Sequence, residues 1–378
     1  MGVLGSPVWG ATIAEPSGRI IWQSGDDIAD WDFNRVLNNV SEARIKLVST
    51  PHVAARVEPW LHTLTFWAGS EVAWHGVITE TRATNGFLEV QASDGGCFFK
   101  RRRVPSGRTW DQADAAQVMA QLVVDAMGVS DPLHVADHLQ AESSRVWVVV
   151  DHTANSVMVD DVVDDLVDAG LEWTFLGGAL LIGPVGARHT TAPLSDRHMG
   201  GDVAVTKVGK DVVTDVLVTG DGVWAQRALE DDRIVLQTIE KVQGVVSEQE
   251  CETRAVGELE QRGVAPVMVE VGGQGLRPDA PVSVSELVPG VRVPVSSMQT
   301  GVQVGCLLML SEVKFSQEGV EVTLVQPSVS WEKRSEFPPA PAFDHRSPWV
   351  KEQAEKASQA AGKSKDYDSD WAKPGKPM

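Results

Sequence analysis

Two stretches have residue types and spacings that could support chemistry. Residues 357–364 read AxxxxGKS, close to the loop in which backbone N–H groups and a lysine hold phosphates. A working loop follows a buried strand and opens a helix, whereas this stretch lies in a charged region with few apolar residues. His134 and His138 are four apart, as on a zinc-binding helix, but no glutamate follows the first histidine. We interpret both patterns as coincidental.

A series of aspartates could serve a metal ion or acid–base chemistry. These residues follow helical spacing opposite a stripe of valine and leucine, and they lack the alternating spacing of a calcium loop. They are Asp160, Asp161, Asp164, Asp165 and Asp168. We therefore predict a solvated acidic helix face. For the chain as a whole we predict no catalytic, cofactor-binding or metal-binding residue and no cofactor.

Composition narrows the class of protein. With 43% apolar and 22% charged residues, the chain can bury a sizeable core. A formal net charge of −19 does not favour wrapping of nucleic acid, which needs clustered Lys and Arg. Cys97, Cys251 and Cys306 form no CxxC pair, so zinc and a disulfide framework are not predicted. We expect no membrane span and synthesis in a reducing cytoplasm.

Short strands and turns dominate the first hundred residues. Asn38-Asn39 predicts a turn before a strand in which alternate residues from Ala43 to Leu47 face one way. A strand over Trp60–Trp67 and a hairpin at Asn85-Gly86 follow. The pattern favours a barrel or a sandwich.

Helices then alternate with strands. Thr109 and Gln112 fit a capping box, a buried strand is predicted over Trp147–Val150, and a second helix begins near Ser156. A hairpin follows at Gly177-Gly178. This pattern indicates an α/β region.

Strands return after residue 200. A third helix is predicted from Ser247 to Gly263, and residues 281–295 read as two strands around Pro289-Gly290. After residue 330 the composition turns to Pro, Lys, Ala and Ser, which is typical of an extended tail. Trp349 and Trp371 are its candidate partner anchors.

The run Lys100–Arg103 has three interpretations. It can be a solvated basic segment, an ion-pair site between subunits of an acidic protein, or a DNA contact. The sequence leaves the three open.

Four phrases, in order, resemble minor tail proteins of actinobacteriophages, the siphophage tail-hub or baseplate-hub family, which includes the N-terminal hub region of tail-associated lysins. The phrases are DWDFNRVLNNVSEARIKL from residue 30, LEVQASDGGCFFKRRRVP from 88, VVDDLVDAGLEWTFLGGALLIGP from 162 and LRPDAPVSVSELVPGVRV from 276.

The resemblance implies an α+β, mainly β chain with two tube-type β-barrel domains, smaller α/β domains between them and a low-complexity C-terminal tail. The implied division is a first barrel over 1–105, a middle α/β domain over 106–200, a second barrel over 201–330 with an inserted helix near 247–263, and a tail over 331–378. The subunit-interface candidates are Trp31, Asn38, Asn39, Ser41, Arg101, Arg102 and Arg103.

The implied function is structural and not enzymatic. Three copies would close the tail tube at the tip of the virion, open for DNA ejection, and contact the distal tail protein, the tape measure protein and other minor tail proteins or fibres. Genome DNA would only pass through the lumen. The alternatives are a cell-wall polysaccharide hydrolase and a Trp-rich carbohydrate-binding protein, since the chain has 13 Trp.

Overall fold

The computed structural model describes residues 4–325, apart from gaps at 26, 49–50, 188–191, 201–202, 230–233, 243–246, 264, 266, 299 and 301. Strands hold 45% of these described residues and helices 17%. The prediction of an α+β, mainly β chain is therefore confirmed. The predicted tail anchors Trp349 and Trp371 lie outside the described residues.

The first β unit contains seven strands and one short helix. They are β1 (Trp9–Ala14), β2 (Ile20–Gln23), β3 (Ile28–Val36), β4 (Glu42–Val48), α1 (Pro51–Ala54), β5 (Thr63–Ala68), β6 (Glu71–Thr84) and β7 (Phe87–Ser93). In β4 the alternation is as predicted, with Ala43, Ile45 and Leu47 buried. The Asn85-Gly86 hairpin is confirmed, because Thr84 pairs with Phe87 across it.

The middle region packs two helices against short strands. It contains a 3-10 helix (Gly95–Arg101), β8 (Arg108–Asp114), α2 (Ala115–Met127), β9 (Leu139–Ala141), β10 (Trp147–His152), α3 (Val159–Asp168), β11 (Trp173–Leu176), β12 (Ala179–Ile182) and a 3-10 turn (Val185–Ala187). The aspartate-rich face of α3 points outward while Val159, Val162, Val163 and Leu166 are buried, so the solvated-face prediction is confirmed.

The last region contains the second β unit and an insertion. The elements are β13 (Leu194–Ser195), a 3-10 turn (Asp196–His198), β14 (Val203–Lys207), β15 (Asp215–Thr219), β16 (Trp224–Ala228), β17 (Gln237–Lys241), α4 (Glu248–Arg262), β18 (Val267–Leu276), β19 (Arg292–Ser297), β20 (Val302–Ser316) and β21 (Val320–Val325). The insertion consists of β15–β17 with α4, and it has its own small core around Val216, Val218 and Cys251.

Thirteen of the described strands form one sheet that runs through both β units. Its order is β14-β18-β21-β20-β3-β4-β7-β6-β5-β1-β2, with β19 pairing both β20 and β13. The two units are joined where β20 pairs antiparallel with β3. The described strand pairs do not close either unit into a barrel.

The two β units repeat one strand order. Reading from one edge, the first unit runs β3-β4-β7-β6-β5-β1 and the second runs β14-β18-β21-β20-β19-β13. The largest cluster of buried apolar side chains draws on both units, including Phe33, Phe66, Leu310 and Phe315. The repeat and the shared core make the sheet one packed body.

Three local predictions were wrong. Thr109 lies inside β8, and α2 is instead capped by Asp114, whose carboxylate accepts from the Ala116 N–H at 2.9 Å. In β10 the expected burial is absent at Trp147, which is 56% exposed. Trp60 precedes its strand in a left-handed conformation with φ of 61°. In each case the residue pattern was right for the element type and wrong for its boundary or its buried face.

The predicted first strand of residues 281–295 was also wrong. Residues 281–291 form turns, and only β19, from Arg292, is a strand. Gly290 has φ of 94° and ends this irregular segment. Its Val284 and Leu287 carbonyls accept hydrogen bonds from the Arg35 guanidinium and not from a neighbouring described strand.

Candidate assembly site

The turn between β3 and β4 is tied to the middle region by Asn38. Asn38 adopts φ of 57°, a left-handed conformation that asparagine tolerates. Its backbone N–H donates to the Trp173 carbonyl at 2.8 Å, and its Oδ1 accepts from the Trp173 N–H at 2.8 Å. Asn39 is exposed, with its Oδ1 accepting from the Val40 N–H. Of the two asparagines, Asn39 is therefore the one that faces outward.

Ser41 belongs to a buried polar cluster centred on Asp94. The two Asp94 carboxylate oxygens accept from the backbone N–H groups of Ser41 and Gly96, each at 2.9 Å. The Ser41 Oγ accepts from the Val36 N–H at 3.2 Å. Burial raises the pKa of Asp94 to about 7, against the opposing effect of these N–H donors. Ser41 thus acts inside the chain, fixing the start of β4 to the 3-10 helix.

Trp31 lies in an aromatic cluster and is only 6% exposed. Its ring centroid is 4.9 Å from that of Trp9 and 5.6 Å from that of Phe66. The Trp31 side chain also borders a hollow of about 430 Å³, lined by Leu4, Pro7, Trp9 and other residues. Most of the side chain packs in the chain's own core. A subunit contact by Trp31 stays a prediction, and such a contact would have to be made through this hollow.

The basic run divides into internal and outward-facing members. The Arg102 guanidinium lies 4.9 Å from the Phe98 ring centroid and donates through Nη1 to the Ala126 carbonyl at 2.9 Å. Arg101 is exposed and lies 5.5 Å from the ring centroid of Trp60. Arg103 is also exposed. Arg101 and Arg103 are accordingly the members available to another molecule, and their role stays a prediction.

Arg35, which the sequence did not single out, is the most deeply buried charge of the sheet, with 1% exposure. Its Nη1 donates to the Val284 and Leu287 carbonyls at 2.7 and 2.9 Å, and its Nη2 donates to the Ala73 carbonyl at 2.8 Å. The guanidinium also lies 5.0 Å from the Phe315 ring centroid. Arg35 therefore holds the first β unit, the irregular segment and the second β unit together.

The environment of Arg35 explains its partners. Ala73 is the residue by which β6 bulges away from β5, so its carbonyl lacks a ladder partner there. The carbonyls of Val284 and Leu287 belong to the segment that forms turns. Burial alone lowers the pKa of Arg35 to about 9, and the group is protonated at neutral pH. The signal in the sequence was its spacing, since Arg35 follows Trp31 and Phe33 at the inward positions of β3.

The outer face of the sheet at the β3–β20 junction is polar. It contains a hollow of about 350 Å³ lined by Asp32, Asn34, Arg44, Glu312 and neighbouring side chains. Arg44 pairs with Asp32 at 2.9 Å, and Asn34 Nδ2 donates to Glu312 at 2.8 Å. Asp32 is thus paired with a cation and Glu312 with an amide, which suits a solvated face spanning both β units.

No three His, Cys, Asp or Glu side chains of the described part of the chain are grouped as a metal site requires. No described helix is long and apolar enough to cross a membrane.

No protein-family model matches the sequence, and no curated protein matches it. Solved structures do match over most of the chain. A 43 kDa tail protein of prophage MuSo2 from Shewanella oneidensis is 14% identical, covering 84% of this chain and 98% of that one, with a TM-score of 0.61. A tail protein from Neisseria meningitidis MC58 is 12% identical, with coverages of 84% and 95% and a TM-score of 0.57.

Prophage tail protein gp18 from Listeria monocytogenes EGD-e is 11% identical, with coverages of 88% and 98% and a TM-score of 0.56. Identities this low establish a likeness of fold alone. The chain therefore has the fold found in these phage tail proteins.

Proposed function

We propose that this chain is a structural protein of a phage tail, and specifically the trimeric hub at the distal tip of a siphophage tail. The observation that carries the proposal is the fold shared with tail proteins along nearly their whole length, 95–98% in the three structures above. The action would be mechanical: the ring closes the tail tube and opens for ejection. No enzymatic step is part of the proposal.

The strand arrangement supports the hub. One sheet continues through two β units with the same strand order, and a chain with an internal repeat supplies two similar sectors of a ring. Three copies would then supply six sectors around a lumen. In this proposal the units over 1–105 and 201–330 are the two tube domains, the region over 106–200 lies between them, and the tail over 331–378 reaches neighbouring proteins.

The proposed partners are the tape measure protein, the distal tail protein and other minor tail proteins or fibres. Asn39, Arg101 and Arg103 are exposed and are the interface candidates that the structure leaves accessible. Trp349 and Trp371 are proposed anchors for partners of the tail.

Electron microscopy of tagged virions tests the proposal. A tag at the C-terminus is expected to place label at the tail tip, and the purified protein is expected to form threefold particles. Virions without the tag, labelled in the same way, give the background. If virions lack the protein, the structural function is refuted, and assays of glycan binding and hydrolysis become the next test. Label along the tail tube or on the capsid would refute the position at the tip.

A further inference from the structure

Strands β6 and β20 are equivalent members of the internal repeat, down to a shared irregularity. In β6 the pairing with β7 skips Thr79, and in β20 the pairing with β21 skips Ser311. Both skipped residues use their hydroxyl group in the same way. The Thr79 Oγ1 donates to the Gln91 carbonyl at 3.4 Å, and the Ser311 Oγ donates to the Thr323 carbonyl at 3.1 Å. The two β-bulges therefore align the strands residue by residue.

This alignment makes residues 77–84, VITETRAT, equivalent to residues 309–316, MLSEVKFS. The chemical type is kept around the bulge, where Thr79 corresponds to Ser311, Glu80 to Glu312 and Arg82 to Lys314. Ala83, which corresponds to the larger Phe315, does not follow this pattern. The alignment extends across the sheet, because Gln91 pairs with Arg44 as Thr323 pairs with Glu270.

One step further, the alignment reaches the outer strands β3 and β14. Arg44 pairs with Asp32, and Glu270 pairs with Ala204. Asp32 of β3 therefore corresponds to Ala204 of β14. By the same count, Asn34 corresponds to Thr206.

The two units differ in what lies beside these strands. The second half of β20 pairs with β3, placing Lys314 opposite Asn34. The equivalent half of β6, Glu80–Thr84, pairs only with β7 among the described strands. Similarly β14 pairs only with β18 among the described strands. The chain thus presents one strand edge of the β20 type and one of the β3 type, each without its counterpart.

We propose that β6 of one copy pairs antiparallel with β14 of the next copy, in the register of the internal β20–β3 junction. The contact continues the sheet from chain to chain. Because the two edges are different surfaces, the interface is heterologous, and repeated pairing closes into a ring when the rotation per copy allows it. The register opposes Glu80 to Val208, Thr81 to Lys207, Arg82 to Thr206, Ala83 to Val205 and Thr84 to Ala204.

The side chains at these edges are compatible with pairing. Residues 82–84 and Ala204, Thr206 and Lys207 are exposed in the single chain. No like charges stand opposite each other in the proposed register, and like charges directly opposite are destabilising. Pairing would also cover two edge strands that otherwise present unpaired N–H and C=O groups to other chains. The next copy is therefore the occupant that the repeat specifies.

Disulfide trapping in the full-length protein tests the register. Directly opposed residues of antiparallel strands have Cα atoms about 4.5–5.5 Å apart, within the range of about 4.4–6.8 Å that a disulfide bridges. Arg82→Cys with Thr206→Cys is expected to yield disulfide-linked dimers and trimers on oxidation, in several-fold excess over either single variant. The single variants carry the native cysteines and so set the background.

Two matched pairs control the experiment. Asn34→Cys with Lys314→Cys copies the same geometry within one chain, and its closure sets the oxidation conditions. Arg82→Cys with Ala204→Cys moves one cysteine by two residues, to a diagonal separation of about 7–8 Å, and is expected to crosslink only at background. If the internal pair closes while the Arg82–Thr206 pair gives no excess, or if the displaced pair gives an equal yield, the proposed register is wrong.

The inference deepens the assembly on which the proposed hub function rests, but the two fail separately. Crosslinks in the predicted register with virions that lack the protein would uphold the pairing and refute the tail function. Label at the tail tip without the crosslinks would uphold the tail function and refute the pairing of β6 with β14.

Discussion

Replacing Arg35 with lysine separates the shape of the guanidinium from its charge. Lysine keeps the positive charge in the same buried place, so most of the cost of burial is common to both proteins. A single Nζ can replace Nη1 near the Val284 and Leu287 carbonyls, but it cannot also occupy the position of Nη2 beside the Ala73 carbonyl. The substitution is therefore expected to leave the bulge carbonyl without its donor.

The magnitude follows from two losses. A buried acceptor left without a partner costs about 1–3 kcal/mol, and loss of the guanidinium stacked against Phe315 costs about 0.5–2 kcal/mol. Together they lower the free energy of unfolding by about 1.5–5 kcal/mol. The stronger hydration of an ammonium acts in the same direction.

Denaturant unfolding, followed by tryptophan fluorescence and circular dichroism, measures the change as a shift of the midpoint at constant slope. Arg44→Lys is the matched control, because Arg44 forms its ion pairs on the exposed face and such pairs contribute about 0–1 kcal/mol. If Arg35→Lys and Arg44→Lys shift the midpoint equally, the fork geometry of the Arg35 guanidinium does not stabilise the fold, and the predicted loss is refuted.

Three further predictions concern local geometry. Burial raises the pKa of Asp94 from 3.8 to about 7, so the folded state binds its proton more tightly and stability falls as pH rises through that window. The free energy of unfolding of the wild type, measured relative to that of Asp94→Asn, should therefore fall by up to about 4 kcal/mol between pH 4 and pH 7. If the difference between the two proteins does not change with pH, this prediction is wrong. Asn38→Ala should lower the free energy of unfolding by about 1–3 kcal/mol, because it loses the Oδ1 bond to the Trp173 N–H and places alanine at positive φ. Asn38→Gly loses the same bond without the strain, so it should lower the melting temperature less. Equal falls in melting temperature for the two variants would show that strain at positive φ contributes nothing. Gly177→Ala should lower the melting temperature, because its Cβ would lie 2.7 Å from the Val72 carbonyl oxygen at φ of 57°; an unchanged melting temperature would show that the hairpin moves freely.

Local sequence signals predicted the elements whose structure depends on nearby residues. The turn at Asn38-Asn39 and the hairpin at Asn85-Gly86 follow from turn chemistry, and the buried face of α3 follows from helical periodicity. The segment over 281–291 failed for the opposite reason. Its alternating residues fit a strand, but Arg35 supplies donors to two of its carbonyls from a position some 250 residues earlier. A pattern confined to the segment cannot contain that information.

Only some of the candidate site residues could be predicted to face outward from the sequence. The phrase around Trp31 marked an important region, yet Trp31 and Ser41 are largely occupied inside the chain, while Asn39, Arg101 and Arg103 face outward. Nothing in the composition distinguishes these cases, because exposure is decided by strands that pair across the whole chain. Two related β units were expected from the sequence, but their residue-by-residue alignment depends on strand order and matching bulges, which only the structure supplies.

The junction between β3 and β20 also determines how late in synthesis the sheet can be completed. Asn34 and Glu312, which are hydrogen-bonded across it, are 278 residues apart. At about 5–20 residues per second of synthesis, roughly 14–56 s pass after β3 emerges before its partner exists. During that interval the edge of β3 is open to strands of other nascent chains. Slower synthesis or high expression should therefore favour aggregation, and a chaperone that covers strand edges early should raise the yield of soluble protein.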